Sequence, residues 1–600
     1  MKRRTASRWR TAKANNATSF ARRFLLLAGP FWSSENNGKA RWLAAALVTL
    51  TVAQVVIQVI ISYWSANLFD ALEQKGMDRF LYLVGTLGGV IVAHVVVNTT
   101  HLRVKRRLQL VWRQWLTRKL LGEWMAKGRH YQLQHLPGEH DNPDGRIAED
   151  IRVTTEAAVE LAHSLLYCVL MLGSFLKILW SLSGSPEFTI GPVTVTVPGY
   201  LVWAALLYAA FGTLVALRLG QPLVRAMYNR QTFEANFRFG LVRGREHSEE
   251  IAVVHGEQQE RHRFKGLFLG VRRAWHRQTS ALANILVFTS AYSVLSIAFP
   301  IAIVAPRYIM GLITLGQLMQ TAQAIQQTTA ALSWPIDNLS RVAEWKASVE
   351  RVLGLHESLE RAVTAVDDGK RTIRIATGVA TRIRFRQVSV NNPDASPAIL
   401  PFDAEIRQGE RVLIGGDQMA AGKLFKAVAG VWPWGGGIID LPKGADIFFL
   451  PQRPYFPVGP LRNALAYPAT ARTFEEAVVR EALGRVGLPQ LGERLHETET
   501  WEQALSVGDQ QRIGFARLLL HKPKWIFIKE ASDALSRRAE EDMMNMLRDD
   551  FADAAVLTIS IHSGLAAFHS RKLVLERTPE GLVEVRDTTL VADPPAPAPV

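Results

Sequence analysis

The stretch Leu505–Glu530, LSVGDQQRIGFARLLLHKPKWIFIKE, decides the fold of the C-terminal half of this chain. It begins with a Ser-Val-Gly-Asp-Gln turn and continues as a helix over residues 512–520. Pro523 ends that helix, because proline has no N–H to donate and its ring clashes with the preceding turn. The apolar run 525–528 then predicts a short buried strand. The sequence therefore predicts a strand that delivers the Glu530 carboxylate at its C-terminal end.

This stretch resembles the signature motif of ABC transporters followed by their Walker B strand. The resemblance implies an α/β P-loop ATPase domain that binds ATP, with Glu530 as the general base that positions the attacking water. It also implies that Ser506, Gly508 and Gln510 complete a nucleotide site whose Walker motifs come from a second chain. One position departs from the family: Lys529 stands where aspartate is usual.

A candidate phosphate-binding loop lies in the segment RVLIGGDQMAAGKL, residues 411–424. The pattern predicts a strand, a loop and a helix, which is the context that a P-loop requires. Gly422 and Lys423 match the end of the GxxxxGK[ST] pattern, and Gly416 directly precedes the position of its first glycine. We therefore predict that these three residues bind nucleotide.

The metal-binding positions of the same site are changed. Leu424 stands where a Ser or Thr oxygen should bind Mg²⁺, and Lys529 puts a cation where aspartate helps to hold that ion. Asp417 replaces the first glycine and would place a negative charge near the phosphates. We expect this half-site not to hold Mg·ATP in the ordinary way, so the chain alone has weak or absent hydrolysis and no protein-bound metal. Lys529 either substitutes for the metal charge or extends from the strand end to solvent.

Two further positions match the ATPase domain by resemblance. Gln452 matches the Q-loop glutamine, which senses the γ-phosphate, and His562 matches the switch histidine, which we assign with Glu530 to catalysis. Two positions depart: Ser536 replaces the D-loop aspartate, and Asn391-Asn392 fall where an aromatic residue would stack on adenine.

The N-terminal half contains six apolar runs that are long enough to cross a bilayer, which needs about 20 residues. The last run carries five glutamines, which a helix tolerates if one face lines a wet cavity. The predicted spans are Trp42–Ala66, Phe80–Val97, Leu161–Leu182, Tyr200–Leu219, Ala281–Ala305 and Ile309–Trp334.

Loop charge predicts the orientation of these spans. The connection 183–198 has no Lys or Arg, whereas the connections 99–160 and 220–280 are rich in both. We therefore expect the N-terminus, both long connections and the C-terminal half to be cytoplasmic. The net charge of +16 lies largely beside apolar runs, which favours a lipid bilayer over nucleic acid as the partner. The single cysteine, Cys168, excludes a disulfide framework.

Three segments of the N-terminal half resemble one branch of the ABC transporters. They are DNPDGRI (141–147), EANFRF (234–239) and SEEIA (248–252), the last followed by Gly256-Glu257. This branch contains the bacterial SbmA/BacA-like transporters, their ATPase-bearing relatives and the peroxisomal fatty-acyl half-transporters. The resemblance implies coupling helices that contact the ATPase domain, a dimer, the bacterial inner membrane, and a cargo of peptides or other bulky amphipathic molecules.

The predicted fold class is therefore an α-helical membrane domain of six transmembrane helices followed by an α/β P-loop ABC ATPase domain. The predicted divisions are a basic N-terminal tail and elbow helix over 1–41, the membrane domain with long cytoplasmic helical extensions over 42–335, a linker over 336–379, the ATP-binding domain over 380–580, and a disordered Pro- and Ala-rich tail over 581–600.

Three functions remain open at this point. The first is an ATP-driven homodimer, although both of its sites would share the losses at Leu424 and Lys529. The second is a heterodimer in which a sister chain supplies sound Walker motifs. The third is a transporter driven by the proton gradient, whose ATPase domain is structural or regulatory. Proton coupling usually needs an ionisable group within the membrane, and His94, His163 and Lys177 are the candidates in these spans.

Overall fold

The computed structural model describes residues 20–33, 37–136, 142–184, 187–190, 193–367, 372–378, 381–560 and 562–590. The chain forms two compact units, one of Met1–Lys119 with Asn142–Leu353 and one of Leu120–Asp141 with Gly354–Val600. Residues 1–19 of the predicted N-terminal tail, Asp141 of the DNPDGRI segment and residues 591–600 of the predicted C-terminal tail lie outside the described residues.

Most of the chain before residue 370 is helical, in long helices joined by a few short ones. They are α1 (20–33), α2 (Asn37–Glu73), α3 (Met77–Met125), α4 (Arg129–Gln132), α5 (Pro143–Gly145), α6 (Ile151–Ser183), α7 (Tyr200–Glu246), α8 (Ser248–Val253), α9 (Glu257–Ile309), α10 (Leu315–Asp337) and α11 (Leu339–Asp367). Short 3₁₀ segments flank α4, and a π-helical turn, Arg146–Asp150, leads into α6. A small antiparallel hairpin of β1 (Glu187–Ile190) and β2 (Val193–Thr196) separates α6 from α7.

Five helical stretches in the described part of the chain are long and apolar enough to cross a membrane. They are Gly38–Glu73, Met77–His135, Pro143–Ser183, Tyr200–Glu246 and Glu257–Ile309. Each of the first five predicted runs falls within one of them. At 47 and 53 residues, α7 and α9 are longer than a bilayer requires.

The sixth predicted span, 309–334, is not confirmed by length and composition. α9 ends at Ile309, the chain turns, and α10 begins at Leu315 behind a capping box formed by Thr314 and Gln317. The glutamines of α10 lower its hydropathy. The helix nevertheless packs inside the first unit, where Gln320 is buried. α10 is therefore an interior helix that is more polar than its neighbours.

The first unit has an apolar core between α2, α6, α7, α9 and α10. Phe175, Leu179, Leu201 and Val304 are fully buried in it. A second cluster fixes α1 on α3, where the ring of Phe31 stacks on Trp112 with the centroids 5.7 Å apart. The predicted elbow helix is thus present over residues 20–33, with Leu27, Ala28 and Phe31 buried against protein.

The second unit contains a ten-stranded sheet. Its strands, in chain order, are β3 (Arg374–Gly378), β4 (Arg382–Asn391), β5 (Pro397–Arg407), β6 (Arg411–Gly416), β7 (Gly435–Pro442), β8 (Ile447–Leu450), β11 (Trp525–Lys529), β12 (Ala555–Ile559), β13 (Arg571–Arg577) and β14 (Val583–Thr589); the two-residue strands β9 (Gly459–Pro460) and β10 (Thr498–Glu499) pair separately. The strand order is β3-β7-β4-β5-β14-β13-β6-β12-β11-β8.

The strands β13, β6, β12, β11 and β8 run parallel to one another. Parallel strands end at one edge of the sheet, where ligands of α/β proteins bind. This edge brings together the residues that follow β6, β8 and β11, which are Asp417, Pro451 and Glu530.

Six helices pack around this sheet. They are α12 (Gln418–Val428), α13 (Leu461–Ala466), α14 (Glu476–Arg485), α15 (Trp501–Ala504), α16 (Val507–His521) and α17 (Arg537–Asp550). As predicted, a helix and the buried strand β11 follow the signature turn.

Two predicted boundaries need correction. The disordered tail predicted from residue 581 is wrong for 583–589, because β14 pairs with β13 along its whole length and buries Val583. The predicted linker 336–379 is more than a connection, because α11 runs through it from Leu339 to Asp367 and buries Leu359 and Ala362.

Candidate nucleotide site

A cavity of about 950 Å³ opens at the C-terminal edge of the parallel strands. It lies beside α12 and receives residues from the ends of β8 and β11. Four predicted site residues line it, namely Gly422, Lys423, Gln452 and Glu530. The other lining residues are His135, Asp417, Gln418, Met419, Phe425, Lys426, Trp432, Pro451, Arg453 and Lys529.

The predicted phosphate-binding loop is almost absent, because α12 begins at Gln418. Asp417 is the N-cap of the helix, and its Oδ1 accepts a hydrogen bond of 2.9 Å from the Ala420 N–H. Gly422 and Lys423 therefore lie inside the helix instead of at its start. The free N–H groups of a helix N-terminus are what binds phosphate in a P-loop, and here the chain's own carboxylate occupies that end.

Arg577 holds the Asp417 carboxylate from the other side. Its Nε and Nη2 both donate to Asp417 Oδ2, at 3.0 and 2.5 Å. Burial alone would raise the pKa of Asp417, but the hydrogen bond from Ala420 and the Arg577 guanidinium outweigh it, so the pKa lies below its usual value. Asp417 is therefore an ionised helix cap whose negative charge is balanced by Arg577.

Gly416 has a backbone role. Its φ is +98°, and a Cβ at this position would lie 2.1 Å from the carbonyl oxygen of Leu575 on β13. Only glycine allows this approach of the two strands. Gly416 does not line the cavity, unlike the predicted nucleotide-binding residues Gly422, Lys423 and Gln452.

Lys423 lies in the cavity, but its ammonium donates a 2.6 Å hydrogen bond to Asn392 Oδ1. Asn392 follows the end of β4, at the position where the sequence lacks an adenine-stacking aromatic. The amide thus orients the lysine. An asparagine at that position gave no signal of this role in the sequence.

Lys529 ends β11 and extends over α12. Its Nζ lies 3.1 Å from Glu530 Oε2, and a Cβ added to Gly422 would lie 3.2 Å from the Lys529 Cε. Leu424 is buried in the apolar core between α12 and the sheet. One expected Mg²⁺ position therefore offers an ammonium and the other a hydrocarbon side chain, so the residues present do not fit Mg²⁺.

Glu530 has a left-handed backbone, with φ of +49°, and its side chain is only 10% exposed. Its position is fixed by Gln511, which sequence reasoning did not single out. Gln511 Nε2 donates to the carbonyl oxygens of Gln452 and Glu530, and its Oε1 accepts from the Ala534 N–H. The second glutamine of the signature motif thus ties α16 to the Q-loop and to the end of β11.

The signature turn is intact and lies outside this cavity. Ser506 caps α16 by accepting from the Asp509 N–H and donating to its carboxylate. Gln510 is buried and donates to the carbonyl oxygens of Glu502 and Leu505, so it supports the turn from beneath. Ser506 is exposed and Gly508 half-buried, so this turn offers a polar surface to another molecule.

His562 also lies outside the cavity lining. Its Nδ1 is 3.3 Å from Glu540 Oε1, the atom to which Ser532 Oγ donates at 2.7 Å. Burial and the negative charge of Glu530 raise the pKa of the neighbouring Asp533. His562 is held by the Glu540 carboxylate of α17 and does not contact Glu530, the other predicted catalytic residue.

Comparison with known proteins places these features in one family. Residues 27–309 match the family described as ABC transporter transmembrane region 2. Over 572 residues the chain is 32% identical to an uncharacterized ABC transporter ATP-binding protein of Synechocystis, covering 92% of this chain and 83% of that protein. It is 29% identical to the inner membrane ABC transporter ATP-binding protein YddA of Escherichia coli, with coverage of 90% and 95%. It is 28% identical to ABC transporter D family member 2, chloroplastic, of Arabidopsis thaliana, with coverage of 94% and 87%.

Proposed function

The chain belongs to the ABC transporter family as a multi-pass half-transporter with a fused ATP-binding domain, and we propose that it works as a heterodimer whose second chain supplies the complete Walker motifs. One observation carries this proposal. α12 begins four residues before Gly422 and is capped by Asp417, whereas the signature turn at Ser506 is complete and exposed.

The Walker half-site of this chain lacks the means to bind Mg·ATP. No oxygen is available at Leu424, and Lys529 is a cation that pairs with the expected general base, Glu530. Hydrolysis at this half-site is therefore not expected.

The signature turn retains what the opposite half-site needs. Ser506 and Gly508 lie at the start of α16, whose N-terminus favours an anion, and the exposed Ser506 hydroxyl reaches one by exchanging its Asp509 partner for it. In a heterodimer this turn closes on nucleotide that the partner's Walker motifs hold. Such a dimer has one hydrolysing site, which is enough to couple ATP to transport.

The proposed setting is the bacterial inner membrane, with both termini cytoplasmic and with peptides or other bulky amphipathic molecules carried inward. The relative YddA, named as an inner membrane protein, supports this location. The apolar helices also contain polar groups: Gln54 Nε2 donates to Asn98 Oδ1, and Asn98 contacts His94. The Gln54–Asn98 bond joins α2 and α3, so it also serves helix packing. Uptake of fluorescent peptides by proteoliposomes tests the cargo class.

ATP hydrolysis tests the heterodimer. The purified chain in lipid nanodiscs should hydrolyse no Mg·ATP, and the complex isolated with its sister chain should be active. Gly508→Asp in this chain should abolish the activity of the complex, and Arg537→Gln, an exposed change on α17, should not. If the lone chain hydrolyses ATP and Glu530→Gln stops it, the chain is a homodimeric ATPase and the proposal is wrong.

A second candidate function, transport driven by the proton gradient, is favoured by one contact in the first unit. The rings of His101 and His163 lie 4.2 Å apart, and their buried Nε2 atoms have no hydrogen-bond partner among the described residues. Paired imidazoles suit proton transfer. Peptide uptake that follows an imposed pH gradient without ATP, and that His163→Gln abolishes, would support this function.

A further inference from the structure

We propose that the cavity beside α12 binds a polyphosphate anion without a metal ion, and that the Lys529 ammonium takes the place of Mg²⁺. The ligand class is a nucleoside triphosphate free of metal, or another polyphosphate with the same charge. This inference rests on the proposed function, since it concerns the half-site that does not hydrolyse ATP.

The position of Lys529 is the first argument. The side chain is 24% exposed; its Cε lies over Gly422 of α12, and its ammonium lies 3.1 Å from the Glu530 carboxylate. A Mg²⁺ ion bound beside Glu530 would face this ammonium at close range, and like charges repel strongly in a partly dry cavity. An anion at the same place gains a fixed positive charge.

The charge balance of the lining is the second argument. Four cations and two carboxylates line the cavity. Arg577, which lies outside the lining, neutralises Asp417, so four cations face one carboxylate, Glu530. Besides Lys529, which lies beside Glu530, three of these cations form no ion pair within 4 Å in the described ranges. These free cations are Lys423, Lys426 and Arg453.

Because the contacts of these cations are with neutral groups, the cations can still bind an anion. Lys423 donates to the neutral amide of Asn392, and Lys426 lies 5.6 Å from the centre of the Trp432 ring. Neither contact removes the charge. Side-chain cations of this kind bind phosphate oxygens through charge-assisted hydrogen bonds.

The mode of binding differs from that of a P-loop. The Asp417 carboxylate accepts from the Ala420 N–H at the start of α12 and puts a negative charge there, so the anion is held by side-chain charges. The attraction between such side-chain charges and an anion is screened by salt. The affinity should therefore fall as the ionic strength rises, whether or not the anion carries a nucleoside.

Half-buried His135 and buried Trp432 also line the cavity, with their ring centroids 5.1 Å apart. Aromatic rings at the end of a cationic groove favour a base over a bare phosphate chain. This observation predicts that ATP binds more tightly than inorganic tripolyphosphate.

Equilibrium binding on the full chain in nanodiscs tests the proposal, with radiolabelled ATP and then with tripolyphosphate as competitor. ATP should bind in EDTA at least as tightly as in excess MgCl₂. Lys529→Met should weaken binding in EDTA by about tenfold, the loss of one charged contact. Lys529→Arg should retain it, and the control Lys524→Met, an exposed change just before β11, should leave it unchanged.

Three results would overturn the proposal: ATP binding that requires Mg²⁺, no binding in EDTA, or wild-type affinity in Lys529→Met. If Lys529→Met does not fold, Lys529→Gln is compared with Lys529→Arg in its place. Displacement by tripolyphosphate as effective as by ATP would identify the phosphate chain as the whole ligand and still support the cation site. Since binding is measured on the lone chain, it is independent of whether a sister chain activates hydrolysis.

Discussion

Arg577 donates two hydrogen bonds to Oδ2 of Asp417, a residue 160 positions earlier in the chain, and this pair closes the start of α12. The remaining carboxylate oxygen caps the helix through the Ala420 N–H. The helix N-terminus that binds phosphate in related ATPases is therefore satisfied by the protein itself.

Removing the charge of this cap should strengthen anion binding. Asp417→Ser keeps an oxygen that can cap α12 but loses the negative charge, so the affinity for ATP in EDTA should rise by about threefold to tenfold. Arg577→Gln leaves the Asp417 charge uncompensated and should weaken the same affinity. Arg586→Gln, an exposed arginine of β14, is the control. Equal affinities in Asp417→Ser and Arg577→Gln would contradict the assignment.

Much of this site could be predicted from local signals. The signature turn, the helix after it and the buried strand that ends at Glu530 all follow from caps, periodicity and a short apolar run. The helical structure of the predicted phosphate-binding loop could not be predicted in this way, because the Asp417–Arg577 pair joins two segments that are distant in sequence. For the same reason, the pairing of β14 with β13 and the bond between Lys423 and Asn392 gave no local signal.

Restoring the two lost metal ligands should not restore ATP hydrolysis. Leu424 is 2% exposed, so Leu424→Ser removes buried apolar contacts and should cost about 2–4 kcal/mol of stability. The helix cap at Asp417 would still occupy the phosphate-binding end of α12. Leu424→Ser combined with Lys529→Asp should therefore show a lower unfolding temperature and no Mg²⁺-dependent hydrolysis. The volume-conserving Leu424→Met should keep the wild-type unfolding temperature. Hydrolysis by the double variant would mean that the first turn of α12 unwinds readily into a phosphate-binding loop.

Gln511, the second glutamine of the signature motif, should contribute strongly to the stability of the second unit. It is 1% exposed, and its amide bonds three backbone groups of the Q-loop and of the β11 end. Gln511→Ala leaves these groups unpaired, which should cost about 2–3 kcal/mol. Hydrogen–deuterium exchange should then become faster at Glu530 and along α16 than in Gln503→Ala, an exposed change on α15. Unchanged protection would show that water replaces the amide.

His569 should make the second unit less stable in mild acid. Its Nδ1–H donates to the Leu565 carbonyl at 2.7 Å, and its Nε2 accepts from Thr558 Oγ1 at 2.9 Å, so the neutral ring satisfies both partners. Burial lowers the pKa of His569, and the positive charge of Arg411 adds to this effect although the Leu565 bond opposes it. A histidine whose folded pKa lies below its unfolded value, about 6.5, contributes stability that is fully present above that value and is lost as the pH falls below it. The unfolding temperature should therefore drop between pH 7.5 and 5.5, and His569→Gln should reduce that drop. The exposed His496→Gln should not reduce it, and an equal drop in wild type and His569→Gln would assign the acid sensitivity to other groups.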